Sequence, residues 1–227
     1  MSDVPLTPVY GLPHERGVTL PGRTLTGGPT GEDPILAEAV EAELQRVDGD
    51  VVDLQQAIAA LPKVVDQGEI TEPTSNSGIN IPVPSGEFIQ LRLTLRGHCS
   101  ALTQVGIRIN GDSTNMYLSG RVTRRASDGE VTDTHHSDSG SMFLLGEWST
   151  LSANNAVIDF FNTHDSHFIS HQARVARMSA NPVNHRISDA WGRTTETRIL
   201  THINVRTNTV GEGYDHLFWQ LVGIPSP

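Results

Sequence analysis

Residues 37–61 carry apolar side chains at alternating steps of three and four, and this spacing constrains the fold more than any other feature of the chain. The average step of 3.5 residues is the period of a coiled-coil seam. A single helix cannot bury such a stripe, so the pattern predicts association with other copies. β-Branched residues at both kinds of seam position favour a trimer. The predicted seam consists of Ala37 followed by Val40, Leu44, Val47, Val51, Leu54, Ile58 and Leu61.

The predicted stalk helix covers residues 35–61 and has a proline at each border. Pro34 suits a first helical turn, and Pro62 ends the helix. The positions beside the seam include Glu41, Glu43, Asp48 and Asp50, with no Lys or Arg among them. Like charges there repel in a parallel oligomer, so we expect the helix to need support from elsewhere in the assembly. The alternative is an amphipathic helix that packs on its own C-terminal domain.

Residues 1–34 contain six prolines and six glycines, a density that predicts no regular helix or strand. Apolar side chains recur in this segment, although a simple linker would not need them. We interpret it as an extended anchor peptide that becomes ordered on a partner surface, the alternative being a disordered tail. The predicted anchor residues are Val9, Tyr10, Leu12, Val18 and Leu20.

Residues 62–78 are polar and are predicted to form a hinge. From residue 79 the apolar pattern changes to a period of two, which is typical of β-strands. Turn residues separate several such runs, and the predicted fold class is therefore mainly β. We expect an antiparallel jelly-roll or Greek-key sandwich head over residues 79–227. Residues 121–141 are predicted to form a long polar hairpin or loop, with receptor contact as one possible role.

Charge and composition exclude several functions. The chain has a net charge of −10, of which residues 1–77 carry −9 and residues 78–227 carry −1. Contact with nucleic-acid phosphates needs an excess of Lys and Arg, so we expect no nucleic-acid partner. No apolar run approaches the ~18 residues that a membrane-spanning helix needs, and the N-terminus lacks the pattern of a secretory signal.

Motifs for catalysis are missing as well. The sequence has no G-x-S-x-G, P-loop or G-x-G-x-x-G pattern. We therefore expect no enzymatic activity and no cofactor. The histidines invite a metal interpretation because His164, His167 and His171 follow one another at steps of three and four. Their neighbours are typical of a strand rather than a helix, so we expect surface and turn histidines with no metal.

Aromatic residues beside polar loops are the candidates for ligand binding. Sugars are bound by flat aromatic faces together with planar hydrogen-bonding groups. This chemistry makes a surface polysaccharide the expected ligand. For Trp191 the alternative is a core tryptophan that closes one end of the sandwich. The candidate residues are Trp148, Trp191, Arg193 and Tyr214.

Several motifs resemble those of a viral family. Residues 107–117 (IRINGDSTNMY) resemble the strand–turn–strand signature RFNGD…NY found in β-sandwich heads of bacteriophage tail and fibre proteins. Residues 156–175 (AVIDFFNTHDSHFISHQARV) and 221–224 (LVGI) follow in a similar order, the latter resembling an LYGI ending. Residues 7–13 (TPVYGLP) and 38–51 (EAVEAELQRVDGDV) resemble minor tail proteins of phages that infect actinobacteria. The usual aromatic-rich loop after the NGD turn is replaced by a charged run, so receptor specificity does not transfer.

The resemblance implies a virion location and a trimeric fibre or spike subunit of a phage tail. Such a subunit takes part in adsorption to the host surface. The expected partners are two further copies of the chain, other virion proteins bound through the N-terminal peptide, and host polysaccharide. Two alternatives stay open, namely a capsid-attached head fibre or decoration protein and a tail-associated depolymerase.

Overall fold

The computed structural model describes residues 18–20, 23–25, 34–71, 78–151, 154–164, 166–208 and 212–226. Contacts divide the chain into two compact units, Met1–Ala59 and Ala60–Pro227. The prediction of a mainly β protein is confirmed, since the second unit consists of two antiparallel sheets. No helix in the described part of the chain is long and apolar enough to span a membrane.

Among its described residues, the first unit contains a short hairpin and one helix. Strands β1 (Val18–Leu20) and β2 (Arg23–Leu25) pair in antiparallel fashion, with Val18 opposite Leu25. The expectation that residues 1–34 hold no regular element is therefore wrong for these two strands. A Pro-Gly dipeptide, a strong turn signal, lies between them in the sequence. The predicted anchor residues Val9, Tyr10 and Leu12 lie outside the described residues.

Helix α1 (Pro34–Ala59) is continuous over 26 residues. It begins at a proline, as expected, because the missing N–H of proline costs nothing in the first turn. It ends two residues earlier than predicted, so Leu61 lies in the turn that follows and not on the helix. The residue before a proline is disfavoured in helical geometry, which accounts for the end of the helix just before Pro62.

The second unit is built from strands of unequal length and one 3-10 turn at Pro182–Asn184. The strands are β3 (Lys63–Ile70), β4 (Gly78–Pro82), β5 (Phe88–Cys99), β6 (Thr103–Ile109), β7 (Tyr117–Arg125), β8 (Val131–Gly140), β9 (Phe143–Trp148), β10 (Asn154–Phe161), β11 (Ser170–Arg177), β12 (Arg186–Thr194), β13 (His202–Thr207) and β14 (Tyr214–Pro225).

These strands form two sheets. The larger has the order β3-β14-β5-β10-β11-β12-β7-β8, and the smaller has the order β4-β13-β6-β9. All neighbouring strands are antiparallel. Strand β9 of the smaller sheet contacts β7, β11 and β12 of the larger one, so the sheets face each other.

The core lies between the facing sheets. Leu91, Leu93 and Leu95 of β5 and Ile107 and Ile109 of β6 are fully buried, while the residues between them point outward. This alternation is what a strand with one buried face requires. Each such side chain contributes roughly 1.5–3 kcal/mol through burial. The alternating runs that predict these strands in the sequence are therefore the runs that build the core.

Strand β3 corrects the predicted hinge over residues 62–78. Residues 63–70 pair with β14 at the edge of the larger sheet, and the head therefore starts before residue 79. The indole nitrogen of Trp219 donates a hydrogen bond to Asp66 at 3.0 Å. Its ring covers Gly68, where a Cβ atom would lie 2.3 Å away. An edge strand with one solvated side needs few apolar residues, and this polar composition resembles that of a loop.

Two further polar segments also form strands. Most of the predicted hairpin or loop 121–141 is a hairpin of β7 and β8. Strand β12 lies beside β7, and the sequence did not predict it. On their inner face Thr123 and Ser188 share a 2.9 Å hydrogen bond, and the buried Arg121 binds Asp133 at 2.6 Å. Polar pairs take the place of apolar contacts here, which removes the period-two apolar signal.

Candidate ligand-binding face around Trp191

The candidate site lies on the outer face of the larger sheet, where Trp191 projects from β12. Trp191 stands opposite Gln172 of β11 and opposite Gly120 of β7. Its neighbour Ala190 points into the core and is 3% exposed, whereas Trp191 itself is 48% exposed. Trp191 is therefore a surface residue in the middle of a strand, and the prediction that placed it beside a loop is wrong about its setting.

Gly120 is the reason that the indole can pack down on the sheet. A Cβ atom at residue 120 would lie 2.6–2.8 Å from Cε2, Cζ2 and Nε1 of Trp191. Real Cβ atoms essentially never come so close, so only glycine leaves room for the ring. Trp191 therefore has one side supported by the backbone of β7 and the remainder accessible to a ligand.

Shallow hollows flank the tryptophan on both sides. The first has a volume of about 590 Å³, and the second has a volume of about 390 Å³. Trp191 and Gln172 line both of them. The first also includes Asn155, Val157, Asp159, Arg174 and Asp189. The second includes Leu118, His136, Phe161, Ser170 and Arg193.

The charged groups on this face are paired with one another. Arg92 binds Asp159 at 2.7 Å, and Arg124 binds Asp189 at 2.8 Å. Arg174 lies 3.9 Å from the same Asp189. The hydrogen bond and charge of Asp159 raise the pKa of Arg92. These three arginines share two aspartates, so the face offers planar hydrogen-bonding groups with a small excess of positive charge, which suits a polar ligand.

Arg193 lies at the edge of the second hollow. Its guanidinium carbon is 5.5 Å from the centre of the Phe168 ring, a cation–π geometry. Phe168 is itself 43% exposed, so this pair extends the aromatic surface beyond Trp191. The structure thus brings two of the predicted ligand-binding residues, Trp191 and Arg193, onto one face.

Two other predicted ligand-binding residues are core residues. Trp148 and Tyr214 are both 0% exposed, and their rings meet edge to face at 6.1 Å. Their assignment to ligand binding is wrong. Trp148 ends strand β9, and Tyr214 opens β14 opposite the buried Cys99. The large apolar surface of both rings is best removed from water at the end of the sandwich.

The three histidines considered as metal ligands are not arranged around a common point. His171 is buried and packs against Phe143, with ring centres 4.1 Å apart. Burial lowers the pKa of His171 to about 3, so the imidazole is neutral. The rings of His164 and His167 lie 5.8 Å apart. Among the described residues, no group of three or more His, Cys, Asp or Glu side chains is arranged to hold a metal.

Five further residues of this face were not predicted from the sequence, namely Gly120, Gln172, Asp159, Asp189 and Arg174. These residues join Trp191 only through the register of β10, β11, β12 and β7. A polar outer face carries no apolar period of its own, so the local sequence contains only a weak signal for this set. The weak signal was the alternation of buried Ala173 and Val175 with polar residues on β11.

Comparisons with known proteins give no family assignment. No family model matches the chain. No curated protein matches it either. Among solved structures, a chain of infectious bursal disease virus strain Gt is 13% identical over 74% of this chain, with a TM-score of 0.14. A chain of strain Gx is 11% identical over 74% of this chain, with a TM-score of 0.12.

A third solved structure is a mutant VP2 protein of the same virus in derived T=1 particles. It is 11% identical over 73% of this chain, with a TM-score of 0.12. The present chain spans about two fifths of the length of these viral chains, namely 42%, 42% and 41%. TM-scores this low do not define a shared fold.

Proposed function

We propose that this chain is a subunit of a homotrimeric fibre or spike in a virion, part of a phage tail that adheres to the host surface. The observation that carries the proposal is the exposed apolar stripe of α1, which has the spacing of a coiled coil. In the sequence, α1 comes before the β-sheet head that carries the Trp191 face. Neither part needs a catalytic site for this role. The function is therefore structural and adhesive.

The exposed stripe supports self-association. Leu44, Leu54 and Ile58 are 60%, 62% and 64% exposed, and Val40 and Val51 are 36% and 45% exposed. Burying each of these side chains in an oligomer contributes roughly 1.5–3 kcal/mol at most. Three to four heptads of such contacts favour a coiled coil. Valine and isoleucine at both seam positions favour three chains over two.

Charges beside the stripe are less repulsive than the sequence suggested. Arg46 binds Glu43 at 2.7 Å and Asp50 at 2.6 Å within the helix. Both acids flank the seam, whereas Arg46 occupies a more outward position of the heptad. This surface cluster lowers the acidic field that parallel copies would meet. Glu41 and Asp48 have no such partner among the described residues, so their carboxylates would still repel one another in a parallel oligomer.

The strand order supports a jelly roll for the head. Four strands of the larger sheet follow the order β3-β14-β5-β10, and the smaller sheet follows β4-β13-β6-β9. These eight strands fold as nested pairs, with β3 beside β14, β4 beside β13, β5 beside β10 and β6 beside β9. Two interleaved four-stranded sheets of this kind define a jelly roll. Hairpins β7–β8 and β11–β12 then extend one sheet and supply most of the Trp191 face.

The Trp191 face is the proposed adhesive surface. A supported aromatic ring with planar amides and guanidinium groups on both sides suits the stacking and hydrogen bonding of a sugar. A shallow face of this kind binds each sugar weakly. Several copies on one particle raise the effective affinity by orders of magnitude, because the second contact is made at high local concentration.

Residues 1–34 are the proposed anchor to other virion proteins, through Val9, Tyr10, Leu12, Val18 and Leu20. Deletion of this segment should leave an oligomer in solution that no longer enters particles. Normal incorporation of the truncated chain would contradict the anchor.

Cryo-electron microscopy of intact particles, combined with ultracentrifugation of the purified chain, tests the proposal. We expect a trimer mass in solution and density at the tail. Density on the capsid with tens of trimers would instead assign the chain to a head fibre or decoration protein. A monomer at all concentrations would contradict the fibre. Release of reducing ends from host wall polysaccharide would indicate a depolymerase rather than a binding head.

A further inference from the structure

Two arginines lie side by side on the outer face of the smaller sheet. In the pairing of β6 with β13, Arg108 stands opposite Asn204 and Arg206 stands opposite Gly106. Their strand neighbours Ile107 and Val205 are fully buried, so both arginines point away from the core. Diagonal positions of this kind place Cβ atoms within about 7–8 Å, which is within reach of two long side chains.

These two arginines differ from most others in the head. Seven head arginines have a carboxylate within 4.0 Å, namely Arg92, Arg121, Arg124, Arg125, Arg174, Arg177 and Arg198. The described residues provide no such carboxylate for Arg108 or Arg206. Asp112 is the acid whose charge acts on Arg108, but it is bound to Arg198 at 3.1 Å. The pair therefore carries positive charge that the described chain does not neutralise.

The unneutralised charge of the pair affects the pKa of Arg108. Partial burial and the neighbouring charge of Arg206 lower the pKa of Arg108, whereas a carboxylate neighbour raises the pKa of Arg92. Two guanidinium groups held together in this way repel each other. An anion between them would remove that repulsion and gain charge-assisted hydrogen bonds.

The surroundings hold these groups in place, and Met142 packs over Gly106, where a Cβ atom would lie 2.5 Å from its sulfur. Nε of Arg108 donates a hydrogen bond to the carbonyl oxygen of Ser141 at 3.1 Å. Arg206 has glycine opposite it on both sides, Gly78 of β4 and Gly106 of β6. Its Nε is buried and has no hydrogen-bond partner in the described part of the chain. A donor in this state gains more from a bound anion than a solvated one does.

Two amides continue the same row of the sheet. Asn204 lies between Arg108 and Asn80, and its amide nitrogen donates to the side-chain oxygen of Asn80 at 2.9 Å. The second amide hydrogen of Asn204 goes to the carbonyl oxygen of Ile79, so Asn204 offers a ligand its oxygen as an acceptor, and Asn80 supplies the amide donor beside the guanidinium groups.

We propose that Arg108 and Arg206, with Asn80 and Asn204 beside them, form a binding site for a phosphate or carboxylate group of an anionic polymer. The guanidinium groups supply the charge and the forked donors, and the amides supply neutral contacts to the adjoining part of the polymer. This site lies on the opposite sheet from Trp191. It does not depend on the oligomeric state or on the proposed sugar face.

Titration of the full chain with inorganic phosphate and, separately, with glucuronate tests the site. Chloride keeps the ionic strength constant, and NMR of the arginine Nε–H groups reports binding. We expect the signals of Arg108 and Arg206 to shift together. Arg108→Gln and Arg206→Gln should each weaken binding about tenfold, since each removes a charge-assisted contact. Arg108→Lys should also weaken binding because lysine lacks the forked donor geometry.

Arg125→Gln is the matched control, since Arg125 ends β7 on the other sheet, lines neither hollow beside Trp191 and binds Asp128 at 2.8 Å. It should bind both anions as the parent chain does, and circular dichroism checks that every variant folds. Tighter binding of phosphate would indicate a phosphate-bearing polymer, and tighter binding of glucuronate a polymer of uronic acids. The proposal is overturned if neither anion shifts the two signals, or if Arg125→Gln loses as much affinity as Arg206→Gln.

Discussion

Trp191 and Gly120 stand opposite each other on neighbouring strands, and the indole occupies the space that a side chain at residue 120 would need. A Gly120→Ala substitution should therefore displace the ring. We expect a loss of about 1–3 kcal/mol in the free energy of unfolding, the usual cost of overpacking. Urea unfolding measures it.

The double variant Gly120→Ala with Trp191→Ala provides the control for this clash. Removal of the indole should cancel most of the cost of the added methyl group, which gives a coupling free energy of about 1 kcal/mol or more. Additive effects of the two substitutions would contradict the close packing of Trp191 on β7.

Trp148 and Trp191 should respond very differently to truncation. Trp148 is 0% exposed, so Trp148→Ala should cost about 3–5 kcal/mol of folding free energy. Trp191 is 48% exposed, so Trp191→Ala should cost no more than about 2 kcal/mol but should abolish the proposed glycan binding. Urea unfolding and a glycan array measure the two effects. Equal destabilisation by both substitutions would place Trp191 in the core.

Val51 and Val52 provide a matched test of the coiled coil. They are adjacent, identical in type and similarly exposed at 45% and 48%, but only Val51 lies in the heptad seam. Val51→Asp should shift the proposed trimer toward monomer because it places a charge in the seam. Val52→Asp should leave the mass unchanged in sedimentation equilibrium. The seam assignment fails if the two variants dissociate alike or if neither does.

His171 predicts a loss of stability at mildly acidic pH. Burial lowers its pKa to about 3 in the folded chain, against 6.5 for an ordinary histidine. Between these values the unfolded chain binds a proton that the folded chain does not. Stability is therefore full above 6.5 and falls as the pH decreases toward 3, by about 1.4 kcal/mol per pH unit.

His171→Phe should remove this dependence while filling similar space. Urea unfolding at pH 7 and pH 5 should show a stability difference smaller by about 2 kcal/mol in the variant than in the parent chain. Comparison with the parent cancels the contribution of the carboxylates. An unchanged difference would show that His171 is protonated in the folded state.

The sequence predicted the elements whose periodicity arises from burial. Leu91, Leu93 and Leu95 alternate with polar residues because one side of β5 faces the core, and local sequence alone shows this. Helix α1 was predicted for the same reason, from a regular apolar spacing between two prolines. Its predicted end was wrong by two residues, because a helix stops before the residue that directly precedes a proline.

The features that the sequence did not predict depend on contacts between segments that are distant in the chain. Strand β3 is stabilised by β14 and by Trp219, and neither is visible from residues 63–70. The exposure of Trp191 and the burial of Trp148 follow from sheet register rather than from their neighbours in sequence. The chemistry of the candidate site, an aromatic ring beside an arginine, could therefore be predicted from the sequence. The full set of residues that form the site could not.

The position of β3 has a practical consequence for handling the head as a fragment. A fragment cut at residue 79, where the period-two pattern starts, would remove β3 and leave the backbone hydrogen-bonding groups of β14 without their partner. It would also uncover the indole of Trp219, which now covers Gly68. Bare sheet edges of this kind recruit other chains. A fragment that begins at Ala60 retains the edge strand and should stay dispersed at concentrations where the shorter one precipitates.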